Sequence, residues 1–265
     1  MAKYLVVMGH GAGDPGAMGN GTTERDWTRG KLHPAMKKYA GKLKKNTIEF
    51  YDTKRDMFQD TVAGYGAYSV SSAYKSITEF HLDAASASAT GGHVIISSAF
   101  NADEDDLDIA NVVKKYAGWW GGVSSTRGIN KRNNLANLNV LANRGISYRL
   151  VELGFITNSK DVSTLTKRVD ELAKNLVEAI TGEKIAEAPK PEYKVGQVVT
   201  LNDWARIYDE KDKLILPDGK KDSVIFQKGA RVTLKKKINA NLWEVEFYGI
   251  NFKGKKPHLK QGNFK

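Results

Sequence analysis

The chain predicts an α/β domain with a mostly parallel sheet flanked by helices, followed by a small all-β domain. Three observations carry this reading. Strand-like and helix-like segments alternate through residues 1–182, the composition breaks at 183–192, and short strands with turn signals fill 193–265. KYLVVM (3–8) reads as a buried strand, and TIEFYD (47–52), EFHLDA (79–84), HVIISSA (93–99) and SYRLVELGF (147–155) follow it. Helical patterns fall between them at about 23–44, 57–77, 103–117, 131–143 and 159–181. The last is the clearest: Leu165, Val169, Leu172, Leu176 and Ile180 recur at spacings of three and four, and Gly182 supplies a stop. Pro34 should kink or divide the first.

EKIAEAPKPE (183–192) has two prolines, charges and no apolar period, which is linker composition. Beyond it come QVVTLN, ARIYDE, LILPDG, SVIF, ARVTLKKKI and LWEVEFYGI, with Asp218-Gly219 and Lys228-Gly229 as turn signals. A segment of this size and pattern suits a small barrel or sandwich.

Bulk properties narrow the function classes. The chain has 265 residues, 41% of them hydrophobic, and no apolar run long enough for a membrane span. The first residues show no secretory-leader pattern, so no Sec export is expected. Cysteine is absent, which excludes disulfides, a thiol nucleophile and a thiolate metal site. The formal charge is +11, of which +8 falls in residues 193–265. Such an excess favours a polyanionic partner: nucleic acid, anionic lipid or an anionic wall polymer.

The chemistry-bearing residues are His, Asp and Glu. His10 stands at the C-terminal end of the first strand, the edge where open α/β sheets bind ligands. The glycines around it match neither phosphate-loop spacing nor a dinucleotide fingerprint. Glu24 follows Thr22-Thr23, either of which can cap a helix, so it falls in a first helical turn; a plain dipole-facing carboxylate is the alternative. His81 alternates with Phe80 and Leu82, and Asp83 shares its face. Glu152 interrupts a buried strand, where a carboxylate is costly unless it is paired or metal-linked. A salt bridge to Arg149 or Arg127 is the plain alternative. A hydrolytic zinc site needs three ligands from His and carboxylate, an open position for water, and a separate base. His10, Glu24 and His81 can supply the first, and Glu152 the last.

GHGAGDPGAMGNGTTERD, FHLDAA and VELGFITN, in that order, resemble the zinc-dependent N-acetylmuramoyl-L-alanine amidases of the amidase_3 type, and the whole resembles a phage endolysin of Gram-positive hosts. The resemblance covers roughly residues 3–181. It implies that His10, Glu24 and His81 bind zinc (Zn2+) and that Glu152, in E-x-G-F-x-x-N, is the catalytic glutamate. Asp83, where Asn is usual, and Leu153, between Glu152 and Gly154, depart mildly from the pattern. The implied reaction is hydrolysis of the amide joining N-acetylmuramic acid to L-alanine in peptidoglycan. With no export signal, a phage lysin is expected to collect in the host cytoplasm and reach the wall after the membrane is breached.

Weaker candidates complete the reading. His93 opens a strand and could border the cleft, and Arg127 lies in a polar loop that could meet substrate. Residues 193–265 resemble the SH3-like wall-binding modules of endolysins. Trp204, Tyr208, Trp243 and Tyr248 are candidate wall-binding residues there, and LKKK (234–237) and KGKKPHLK (253–260) suit anionic wall polymer. Nucleic acid is not the expected partner, although aromatics among lysines also suit single strands. A monomer is expected. Two alternatives stand beside the amidase: a non-catalytic wall- or polyanion-binding protein, and a zinc peptidase of the stem peptide.

Overall fold

The computed structural model describes every residue except 12, 123–125, 187–191, 216–224, 248, 251, 253, 255 and 265. The chain forms two compact units, Met1–Ala186 and Glu187–Lys265.

The first unit contains β1 (Lys3–Met8), a hairpin of β2 (Met18–Gly19) and β3 (Thr22–Thr23), β4 (Thr47–Phe50), β5 (Tyr74–Asp83), β6 (His93–Ser97), β7 (Ile129–Arg132) and β8 (Tyr148–Phe155). Its helices are α1 (Glu24–Trp27), α2 (His33–Ala40), α3 (Met57–Val62), α4 (Glu104–Tyr116), α5 (Ala136–Asn143), α6 (Ser159–Lys167) and α7 (Val169–Thr181). Six strands form one sheet in the order β4-β1-β5-β8-β6-β7. It is mixed: β4, β1, β5 and β8 run parallel, whereas β6 pairs antiparallel with β8 and carries β7 parallel to itself.

Three differences from the sequence reading have physical causes. The pattern at 57–77 ends early as a helix, because Gly64 (φ +87°) turns the chain and the β-branched end of that stretch joins β5. Pro34 does not divide the first helical stretch. A π-helical turn at Thr28–Leu32 precedes it, and the proline sits in the first turn of α2, where its missing N–H costs little. The stretch 159–181 is two helices, broken at Arg168, whose ψ of 19° leaves the helical range.

Strand alternation sorts the core into two layers. Tyr4, Val6, Met8, Phe80, Leu82 and Val151 face one layer with α2, α4 and α7. Leu5, Val7, Ile77, Ile95 and Tyr148 face the other with Met57, Leu138 and Leu141. Register aligns the second face in rows: Leu5, Ile77 and Tyr148; then Val7, Glu79 and Leu150; then His81, Glu152 and His93. The third row is polar and lies toward the C-terminal ends of β5 and β8.

At the opposite end of the sheet lies a buried ion cluster. The Arg149 guanidinium, fully buried, donates to Asp106, to Ser76 Oγ at 3.0 Å and to Asp103 Oδ2 at 3.2 Å. Asp103 is the N-cap of α4 and Asp106 bonds back to its backbone, so the cluster fixes the start of that helix.

In the second unit, β9 (Val198–Thr200), β12 (Arg231–Lys237), β13 (Leu242–Phe247) and β14 (His258–Lys260) form an antiparallel sheet in the order β14-β13-β12-β9, and β10 (Ala205–Arg206) pairs with β11 (Ile225–Phe226). Val199, Leu234, Trp243, Val245 and Leu259 fill its core. The Asp218-Gly219 signal lies outside the described residues.

Arg149→Ala should destabilise the protein by roughly 3–5 kcal/mol, because it leaves Asp106 buried and unpaired. Chemical denaturation monitored by circular dichroism checks this, and Arg149→Ala/Asp106→Ala should recover part of the loss.

Candidate metal centre

His10, Glu24 and His81 converge from three elements. His10 follows β1 with a left-handed backbone (φ 64°), a conformation costly for a side-chain-bearing residue. Glu24 opens α1, whose N-cap Thr23 accepts from Asp26 N–H at 3.0 Å. His81 lies in β5 on the face opposite Phe80 and Leu82. His10 Nε2 and His81 Nδ1 are 3.2 Å apart, His81 Nδ1 and Glu24 Oε2 3.7 Å, and Glu24 Oε2 is in closest contact with His10 Nε2. Donors about 2.0–2.1 Å from a tetrahedral ion stand roughly 3.3 Å from one another, which the His10–His81 and His81–Glu24 separations bracket, while Glu24 and His10 stand closer.

The hydrogen bonding around the ring nitrogens points the same way. His10 Nδ1 lies 2.8 Å from Asp14 Oδ2, and His81 Nε2 lies 3.1 Å from Glu79 Oε1. With each outer nitrogen bonded to a carboxylate, a neutral ring presents its inner nitrogen as a lone pair. The two inner nitrogens face a buried Glu24 oxygen that has no hydrogen-bond partner. Three acceptors aimed at one point call for a cation, and a two-imidazole, one-carboxylate set suits zinc.

The carboxylates are themselves held. Asp14 Oδ1 accepts from Gly16 N–H at 2.9 Å. Glu79 is fully buried and accepts from Asn137 Nδ2 at 2.9 Å and from the Tyr148 hydroxyl at 2.6 Å. Asp56 lies close to His10 and Asp14, and the three form a second acidic group that shares His10 with the first.

The glycines are a steric necessity at two positions. A Cβ at Gly9 would sit 2.2 Å from the His81 ring, and one at Gly16 (φ +65°) would sit 2.6 Å from Glu24 Oε2. The loop is fastened by Arg29 in the turn after α1. Its Nη1 donates to Gly9 C=O at 2.5 Å, its Nη2 to Met8, His10 and Arg55 C=O, and its Nε to Thr53 C=O at 2.9 Å.

Glu152 pairs in register with His81 on one side and His93 on the other. Its Oε2 is buried without a partner. Burial pushes its carboxyl up to about 8 against the pull of His81, with Asp83 and Glu24 adding to the rise. The salt-bridge alternative is not realised: Arg149 is occupied by Asp103 and Asp106, and Arg127 is exposed with φ 64°. The end of β8 is fixed by Asp161, which accepts from Phe155 N–H at 3.0 Å, Gly91 N–H at 3.1 Å and Thr90 Oγ1 at 2.7 Å.

His93 is buried beside Trp120, their ring centroids 5.3 Å apart, and burial lowers it to about 4, so it stays neutral. Asp83 does not simply repeat the face of His81. A register shift separates the two, and the Asp83 carbonyl accepts from Ile156 N–H. Of the candidate wall-binding residues in the second unit, Trp204 is exposed and Tyr208 is half-buried under Lys260. Trp243 is a correction: it is 2% exposed, because so small a core needs its bulk, and it presents no free face. Tyr248 lies outside the described residues.

Comparison with known proteins now identifies the class. The Amidase_3 family model, N-acetylmuramoyl-L-alanine amidase, matches residues 5–182, and the chain belongs to that family. The probable autolysin PH of Staphylococcus aureus (strain NCTC 8325 / PS 47) is 44% identical over 198 residues, 69% of this chain; the match spans 39% of that relative's length. The fold is like that of the catalytic domain of the CD27L endolysin targeting Clostridia difficile (TM-score 0.54, 19% identity, 70% of this chain and 100% of that one). It is also like the N-acetylmuramoyl-L-alanine amidase from Clostridium difficile 630 (TM-score 0.51, 18% identity, 68% and 95%).

Two predictions follow from the centre. Glu79→Gln should weaken zinc binding by about 10–100-fold while the fold persists, measured by competition with a chromophoric chelator. His10 and His81 are both raised above the ordinary histidine range. Burial opposes the rise, and Glu24 with Asp14 at His10, or Glu24 with Glu79 at His81, outweighs it. Metal uptake near neutral pH should therefore release protons, and the metal should be lost as pH falls. Calorimetry in buffers of different ionisation enthalpy reads the proton count; a count of zero contradicts the assignment.

Proposed function

We propose that the chain is a zinc-dependent peptidoglycan hydrolase that cleaves the amide between N-acetylmuramic acid and L-alanine. The observation that carries this reading is the convergence of His10, Glu24 and His81 beside Glu152 in a chain of the amidase family. His10 Nε2, His81 Nδ1 and Glu24 Oε2 would hold the metal. Zinc bound there supplies Lewis acidity to the amide carbonyl and to a water molecule.

The remaining steps belong to the chain's own residues. Glu152 takes a proton from the attacking water as its oxygen bonds to the carbonyl carbon. It then returns that proton to the amide nitrogen as the C–N bond breaks, leaving a lactyl carboxyl group, which ionises to solvent, and the free amine of alanine. Burial raises the Glu152 carboxyl in the metal-free chain, and a cation bound beside it would act against that rise, so the group would accept and return a proton near neutral pH. Asp14 and Glu79 keep both imidazoles in the tautomer that presents a lone pair inward.

The reading extends to the second unit as an SH3-like module that holds the wall, supported by its short-strand architecture and the net charge of residues 193–265. It extends also to a phage lysin acting from the host cytoplasm after membrane breach, supported by the endolysin resemblance of the motifs. Digestion of purified Gram-positive peptidoglycan, with and without a zinc chelator, tests the central reading. New N-terminal alanine without new reducing ends, lost with chelator and restored by zinc, is expected. Other new termini would indicate a stem-peptide peptidase, and wall binding without cleavage a non-catalytic protein.

Glu152→Gln should lower the cleavage rate by about 10²–10⁴-fold and keep the zinc. It should also raise the melting temperature of the metal-free protein at pH 8. The sign follows from the raised carboxyl: the folded state binds a proton that the unfolded chain releases, so stability falls as pH rises from the ordinary carboxylate range through about 8. A neutral glutamine removes that loss.

A further inference from the structure

We propose that a cleft beside the edge strand β4 is a saccharide subsite, which binds the glycan strand of the substrate away from the reacting atoms. The inference rests on the amidase reading above. The cleft measures about 420 Å³, within the ~300–1,000 Å³ range of ligand pockets, and its walls include Tyr51, Asp52, Arg55, Tyr65, Ser69 and Tyr74. Three phenol rings among short polar side chains match a sugar, which has apolar C–H faces and a rim of hydroxyls.

Two of the rings are rigid. The Tyr51 hydroxyl donates to Asp60 and that of Tyr74 to Glu49. Tyr65 is the free one: it is 60% exposed and its hydroxyl has no partner among the described residues. It stands in a stretch where Phe58, Val62 and Tyr68 are also exposed, a concentration of uncovered apolar surface that marks interaction sites. The charges at the cleft are balanced. Arg55 is held by Asp60 through Nε at 2.8 Å and Nη2 at 2.9 Å, and Asp52 lies beside it. This suits a neutral N-acetylated sugar better than a polyanion.

The cleft wall is tied to the metal loop by a shared hydrogen-bond donor. Arg29 Nη2 donates both to the Arg55 carbonyl, in the cleft wall, and to the His10 carbonyl, in the metal loop. Leu5, which lines the cleft floor, lies on the sheet face that carries His81 and Glu152.

The test uses the full chain with two substrates: a soluble muramoyl peptide of one sugar, and long glycan strands bearing stem peptides. Tyr65→Ala should lower kcat/KM on long strands about two- to ten-fold, through KM, and leave the one-sugar substrate unchanged; Tyr65→Phe should stay near wild type. Calorimetric binding of peptide-free glycan strands to the metal-free protein should weaken in Tyr65→Ala by the same factor. Equal loss on both substrates, or no loss on long strands, overturns the subsite. If the wild type cleaves neither substrate, the amidase reading fails, and the glycan-binding difference still decides the subsite.

Discussion

The centre depends on the guanidinium of Arg29. Its forked N–H groups meet five carbonyls: those of Met8, Gly9 and His10 at the end of β1, and those of Thr53 and Arg55 after β4. Arg29 rides on the helical segment that begins with Glu24, so one side chain ties the carboxylate-bearing helix to the histidine-bearing loop. A loop this rich in glycine has high conformational entropy when free. The guanidinium selects one conformation from that ensemble and sustains the left-handed backbone at His10. Burial lowers the Arg29 proton affinity from its ordinary value, and Asp56 and Glu79 act against that change.

Around this anchor the site is an exercise in placing negative charge. Glu24, Glu79, Asp14, Asp56 and Glu152 gather at one sheet edge, where mutual repulsion and burial both oppose ionisation. Glu79, Asp14 and Asp56 each have donors of their own: imidazole, backbone N–H, amide or phenol. Glu152 lacks one, and its proton affinity rises accordingly. One end of the sheet thus gathers a carboxylate placed to hold a cation and a carboxyl with raised proton affinity. Strand register separates the two roles, since His81 and Glu152 are neighbours across the ladder while Glu24 arrives from a helix.

Much of this was legible in the sequence. His10 ends a strand, Glu24 follows a capping threonine, His81 alternates against buried Phe80 and Leu82, and Glu152 interrupts an apolar strand. Glu79 was legible in principle, because strand period places it on the face of His81 two residues away, and Asp14 lies four residues after His10 in the glycine loop. Arg29 carried no local signal; its partners are carbonyls, which every sequence has. The antiparallel β6, the strand β7 and the split at Arg168 also escaped local reading, since pairing direction and helix breaks are decided by tertiary contacts. Trp243 shows the limit of composition: an aromatic in a small basic unit suits a binding face or a core, and burial assigned it to the core.

The three inward-facing donors are placed to hold a single divalent ion. Crystallography of the zinc-soaked protein, with anomalous scattering at the zinc edge, tests this directly. The expected result is one zinc per chain, about 2.0–2.2 Å from His10 Nε2, His81 Nδ1 and Glu24 Oε2, with an open coordination position facing Glu152. An anomalous peak elsewhere, or zinc bound without Glu24, would contradict it.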